Sequence, residues 1–247
     1  FLDGAVQTFQ QATLVSSAYF EISTMDEDNA TGIAREGTAL YVTGYTAGTL
    51  PPNTSSGLKD IYVAKYTEAG SVEWATQFGS SGADKGAQLI HDGAGNLYVC
   101  GEAGGSVSGQ PYAGGASDIL VAKLDATTGA LLWVRLYGSP GVDVAYGLTV
   151  DAAGDLYVTG VASGSINGAT FHGVMDAFIM KLGSDGTHRW THMYGSAMAG
   201  WGVGLIAENG LVTVAGTVMG GASLEGEALI GGSDIFFVTV TTDGLFV

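Results

Sequence analysis

Four histidines, one cysteine and 24 acidic side chains carry whatever acid–base, metal or nucleophilic chemistry this 247-residue chain can offer. His91, His172, His188 and His192 sit in unrelated contexts, and only His188-x-x-x-His192 has a metal-like spacing. On a strand rising ~3.3 Å per residue, that spacing separates the two Cα atoms by about 13 Å, too far for one metal ion unless a bulge intervenes. Cys100 is alone, so no internal disulfide can form. It stands where sister segments carry Thr43 and Thr159, and a half-buried strand residue is a simpler reading than a nucleophile. No P-loop, nucleophile elbow or Cys-x-x-Cys is present.

The acidic residues are more patterned. Asp28, Asp84 and Asp143 close equivalent loops, and two readings follow. They could form a cation or polar-ligand ring at a channel mouth, since hard cations take several carboxylate oxygens. Each could instead accept N–H bonds from its own turn, which is the simpler reading. Asp26 and Asp28, in Met25-Asp26-Glu27-Asp28-Asn29, resemble a calcium loop only in their acidity, because the glycine expected after the ligand positions is missing. Beyond that calcium possibility no cofactor is expected. Tyr112, Phe171 and His172 are further binding candidates, in long linkers where contact residues usually sit. Asn29 and Asn53 head Asn-x-Ser/Thr triplets that would accept glycans in a secreted eukaryotic protein.

The elements that must position these residues are repeated. Asp60, Asp118, Asp176 and Asp234 follow one another at intervals of 58 residues, and each opens an apolar run. Leu40-Tyr41-Val42-Thr43-Gly44 returns as Leu97-Tyr98-Val99-Cys100-Gly101 and Leu156-Tyr157-Val158-Thr159-Gly160, and more loosely as Val212-Thr213-Val214-Ala215-Gly216. Trp74, Trp133 and Trp190 mark a last strand that ends in aromatic-Gly-Ser. A fixed period with four short strands per unit predicts a β-propeller of four-stranded antiparallel blades. Full units are expected at 25–80, 81–139 and 140–196, with a partial blade at 1–24 (strands near 5–9 and 16–22) and an incomplete unit at 197–247, in one domain. About four repeats are visible, which fits either a window on a larger propeller or a closed four-bladed ring. Tryptophans and Leu/Val rows should fill the layers between blades. Lys65, Lys123 and Lys181 lie about 16 Å from the aspartate of their own strand, at ~3.3 Å per residue, which places them near the first-turn acids Glu36, Asp92 and Asp151 as ion-pair partners.

The ordered set of an acidic-Gly turn, a Tyr-Val-Thr-Gly strand, an Asp-x-x-Val-x-Lys strand and a Trp followed by a Gly-Ser loop resembles the bacterial seven-bladed β-propeller repeat family called SBBP. The likeness covers roughly 25–244 and departs in the last unit, where Thr239 replaces the lysine and Gly200 the loop aspartate. It implies a propeller in an extracellular or cell-surface setting and assigns no catalytic residue.

Composition narrows the function classes. A net charge of −16 with eight basic residues opposes binding to nucleic acid or anionic lipid. No apolar run approaches the ~20 residues of a membrane span. The chain begins at Phe1, which suggests a processed or excerpted form whose signal segment is out of view. The reading that fits best is a non-enzymatic extracellular or cell-surface scaffold that binds protein chains or assembly subunits through propeller loops or an open blade edge. A carbohydrate-binding, lectin-like propeller that engages glycans is the alternative. A propeller hydrolase or lyase would need convergent acid and base residues, and the sequence shows none.

Overall fold

Short runs of alternating apolar and polar residues between glycine turns fold into strands, and the described residues contain no helix. The computed structural model describes residues 24–195, 197–219, 223–224, 227–228 and 232–247, so the strands expected at 5–9 and 16–22 lie outside it. The first sheet orders β1 (Asp28–Glu36), β2 (Ala39–Thr46), β3 (Asp60–Tyr66) and β4 (Val72–Phe78). The second holds β5 (Lys85–His91), β6 (Asn96–Ala103), β7 (Asp118–Asp125) and β8 (Leu131–Tyr137). The third holds β9 (Asp143–Val150), β10 (Leu156–Ala162), β11 (Asp176–Leu182) and β12 (His188–Tyr194). In the fourth, β13 (Gly200–Glu208), β14 (Leu211–Met219) and β17 (Ser233–Thr241) pair in that order. Its linker adds a short hairpin, β15 (Ser223–Leu224) with β16 (Glu227–Ala228), which the sequence did not announce. All pairings within the sheets are antiparallel.

The inner strands β1, β5, β9 and β13 each meet the next. Each carries one extra residue at the same place: Thr31, Ala87, Tyr146 and Val203. A bulge re-aims a side chain out of the pleat. These four line a common cavity of about 440 Å³, together with the Lys85–Glu102 ion pair at 2.6 Å.

Between sheets the packing is one joint used three times. We term the side facing the following sheet the forward face, and the opposite side the rear face. Tyr41, Ile61 and Val63 of the first sheet interlock with Leu97, Leu120 and Leu124 of the second. Ile119 and Val121 then pack on Leu148, Val158 and Phe178 of the third. Ala177 and Ile179 meet Val212, Val214 and Phe236 of the fourth. Full burial of each such side chain contributes about 1.5–3 kcal/mol, so the joints hold most of the apolar stabilisation.

Each joint is closed by a ladder across three strands. Tyr41, Lys65 and Trp74 stand side by side in register, as do Tyr98, Lys123, Trp133 and Tyr157, Lys181, Trp190. The ammonium lies over the tyrosine ring at 6.0, 5.1 and 5.4 Å in turn, and the Tyr–Trp centroids are 6.1 Å apart in all three. The tryptophans are therefore equivalent and largely buried, as expected, each keeping a minor part of its surface open to solvent. A glycine from the next sheet's last turn sits on each indole: Gly129 on Trp74, Gly186 on Trp133, Gly244 on Trp190.

The lysine partners differ from those expected. Lys65 pairs with Glu73, the bulged residue beside Trp74, at 2.8 Å. Lys181 pairs with Asp155 at 2.9 Å, while the expected partner Asp151 accepts the Tyr157 hydroxyl at 2.9 Å. Lys123 lies over Tyr98.

Candidate functional site

The loops that join one sheet to the next share an end of the molecule with the linkers between second and third strands. The two sets are stitched together across the joints. Asp84 N–H donates to Lys59 C=O at 2.8 Å and Asp143 N–H to Ser117 C=O at 2.9 Å. Gly200 N–H repeats the contact on Met175 C=O at 2.7 Å.

The loop aspartates serve these loops. Asp84 is fully buried and accepts Ser80 N–H at 2.5 Å, the Ser80 hydroxyl at 2.8 Å and Gly104 N–H at 3.0 Å. Asp143 repeats this on Ser139 and on Ser163 N–H at 3.2 Å. Asp28 accepts Thr24 N–H at 2.6 Å. Burial holds the Asp84 and Asp143 carboxyls above the usual carboxylate range, against the lowering effect of those hydrogen bonds. None of the three borders the cavity lined by Thr31, Ala87, Tyr146 and Val203.

Asp60, Asp118 and Asp176, also buried, open their strands by accepting linker N–H groups from Ser56 at 2.7 Å, Ala113 at 2.6 Å and His172 at 2.8 Å. Desolvation likewise raises Asp118. Gly79, Gly138 and Gly195 pass so close to these carboxylates that a β-carbon would strike an oxygen, which explains the glycine of the aromatic-Gly-Ser triplet.

The linker candidates separate. Tyr112 is half-buried, its hydroxyl donating to Gly115 C=O at 2.9 Å. Phe171 packs on the core between the second and third sheets, so it is in part a core residue. His172 is exposed, with Nδ1 2.9 Å from the buried Asp176 carboxylate. It borders a pocket of about 340 Å³ with Thr170, Thr191, His192 and Phe246. Nothing in the sequence placed His192 and Phe246 beside His172, because the contact joins a linker to the last strand of its own sheet and to a turn of the next.

Other candidates resolve as follows. A bulge at Arg189 sends His188 and His192 to opposite sides of the third sheet. His188 packs on Tyr137, and His192 on Phe246 with its Nε2 2.7 Å from Gly244 C=O. Among the described residues no three His, Cys, Asp or Glu side chains converge to hold a metal ion. Asp26 is exposed, its N–H donating to the Thr24 hydroxyl at 3.1 Å. Cys100 is completely rather than half buried, which pushes its thiol up to about 12. Asn29 lies on β1 rather than in a loop. The Asn53 amide donates inward, to Leu50 C=O at 2.7 Å and Ala75 C=O at 3.1 Å.

Residues 73–106 and 132–167 match the β-propeller repeat family SBBP. Both matches start in a Trp-bearing strand and run past the second strand of the following sheet, so each straddles a joint. No curated protein matches the chain. Among solved structures, an α-L-arabinofuranosidase from Clostridium thermocellum is similar over 88% of this chain and 71% of its own, at 16% identity and a TM-score of 0.37. That degree of likeness says nothing about activity in this chain.

Proposed function

We propose that this chain is a non-enzymatic, extracellular or cell-surface interaction module. In this reading its propeller repeats present variable linkers, and the outermost strand β17 of the fourth sheet, to other macromolecules. One observation carries the reading. The acids that recur from sheet to sheet (Asp60, Asp84, Asp118, Asp143, Asp176) all accept N–H groups of the scaffold. The side chains that differ from sheet to sheet, Tyr112 and His172 among them, stand in the linkers on that rigid frame. Strand addition along β17 would use the part of its edge before Thr239, since the far end is already engaged by the Val240–Phe246 bridge and by Val247 N–H donating to Thr239 C=O.

Capture experiments from the native source test this. A protein retained by the wild type and lost with Tyr112→Ala or His172→Ala is the expected result. Equal retention by wild type and variants, or no binder at all, would overturn it.

A second reading, glycan binding, is favoured by the pocket at His172, where histidines and threonines stand beside the Phe246 ring. Sugars need that pairing of hydrogen-bonding groups with an aromatic wall. Binding on a glycan array that disappears in His172→Ala selects this second reading.

A further inference from the structure

The three joints between sheets bury the same strand positions each time. The third-strand positions of the first three sheets hold Ile61 and Val63, Ile119 and Val121, Ala177 and Ile179, and all six are 0% exposed. In the fourth sheet the same positions are Ile235 and Phe237, and they are 75% and 72% exposed. Ile206 on β13 is 59% exposed, and Leu211 and Met219 on β14 are open as well. Alternation is intact: Val212, Val214, Val218, Phe236 and Val240 point the other way, into the third joint. The forward face of the fourth sheet is therefore built like a joint and left open among the described residues.

We infer that this face is a self-association surface, on which a second copy of the chain seats the same face about a twofold axis. Contiguous exposed apolar patches of this kind mark interaction sites. Sheets pack face to face by interdigitating such rows, as the three joints already do.

Two observations choose the partner. The rear faces of the second, third and fourth sheets are filled inside the molecule. On the rear of the first sheet, Leu50, Tyr62, Ala64 and Tyr66 are already buried. The open match in a second copy is thus the forward face of its own fourth sheet, and a like-to-like contact is isologous. Charge agrees. A chain of net charge −16 repels its copy everywhere except across a neutral surface. The strands of this sheet carry two described carboxylates, Asp234, which alternates with Phe236 and Val240 toward the rear face, and Glu208, at the turn end. The position of Lys65 is taken by Thr239, hydroxyl to hydroxyl with Thr213 at 2.9 Å. The surface differs from the linkers and strand edge proposed for other partners, so the two readings can fail separately.

Sedimentation velocity over a concentration series, at low and high salt, tests the inference. The wild-type chain should pass from monomer to dimer, and the dimer should gain as salt screens the repulsion between acidic copies, the Debye length falling from about 30 Å at 0.01 M to about 8 Å at 0.15 M. Phe237→Asp and Ile235→Asp should weaken the dimer at least tenfold with unchanged circular dichroism and melting. If either charged variant is misfolded, Phe237→Ser replaces it. Ile33→Asp, on the open inner part of the first sheet's rear face, should leave the dimer intact. Loss of the dimer in Ile33→Asp would overturn the twofold arrangement in favour of head-to-tail stacking. A wild type that stays monomeric throughout, or dimers indifferent to Phe237→Asp, would refute it and leave the rear face of another repeat as the occupant. Tyr112→Ala and His172→Ala should not alter the dimer, which separates this result from the linker reading.

Discussion

Ile119 and Ile235 occupy the same place in two sheets that share a strand pattern, and one is fully buried while the other is 75% exposed. The difference lies in the neighbour. At the second joint, Ile119 meets the Leu and Phe rows of the third sheet. At the fourth sheet's forward face no described residue stands over Ile235. A blade's amphipathy is thus a property of the stack, because both faces of a sheet with covered neighbours read as apolar. The closing ladder follows the same division. Joints with a following sheet have Tyr, Lys and Trp in register, and the open face has the Thr213–Thr239 pair instead.

The largest expected effect removes a bolt from a closed joint. Trp133→Ala should destabilise by about 3–5 kcal/mol, as a large core deletion does. A loss under about 1 kcal/mol in denaturant melts would place the stabilisation elsewhere. The comparison itself is tested by one substitution made twice. Ile119→Ala should cost about 2–5 kcal/mol, and Ile235→Ala, measured at low protein concentration, should change stability by less than about 0.5 kcal/mol. Equal costs at both sites would mean that the fourth sheet's forward face is covered in solution.

Much of this frame was legible in the sequence. The aspartate interval, the alternating runs and the tryptophans located the strands and their order, because period-2 patterning and turn glycines are local signals. What stayed hidden depends on contacts between distant residues. Ile235-Phe236-Phe237 reads like Ile61-Tyr62-Val63, so no pattern could say which side lacks a neighbour. The partner of Lys65 was misread because the bulge before Trp74 turns Glu73 toward it, and bulges have no dependable sequence signature here. Lys181 went to Asp155 because Tyr157 had already engaged Asp151. The pocket at His172 draws on two sheets, and only the histidine itself was foreseeable from its linker.

Turn glycines divide along the same line, between joint and solvent. Gly129 and Gly154 both adopt left-handed φ, +74° and +85°. A β-carbon on Gly129 would stand 2.5 Å from the Trp74 ring, whereas one on Gly154 would meet nothing within 4 Å. Gly154→Ala should therefore cost about 1–2 kcal/mol, the backbone penalty alone. Gly129→Ala adds overpacking of about 1–3 kcal/mol. Near-equal losses in thermal melts would show that the indole moves aside freely.

The smallest effect separates the closed joints from one another. In the first joint, Thr43 hydroxyl donates to Tyr62 C=O at 2.8 Å, and Gly86 of the next inner strand lies against it, 2.6 Å from hydroxyl to a β-carbon built on that glycine. The third joint repeats the pair as Thr159, bonded to Phe178 C=O at 2.6 Å, beneath Gly202. In the second joint both members change together, to Cys100 beneath Ala145, and both are fully buried. The extra methyl of alanine occupies the space that the threonine branch takes elsewhere, and the unbranched thiol yields it. Cys100→Thr should cost about 1–3 kcal/mol through overpacking, although the new hydroxyl could bond the Leu120 carbonyl as its sisters do. Ala145→Gly alone should lose about 0.5–1 kcal/mol as a glycine placed inside a strand. Joined, the two should recreate the arrangement of the outer joints, so the double variant should be more stable than the summed losses by about 1 kcal/mol or more. Additivity within about 0.5 kcal/mol in a double-mutant cycle would show that the two positions do not share a volume, and that the paired change in the second joint has another cause.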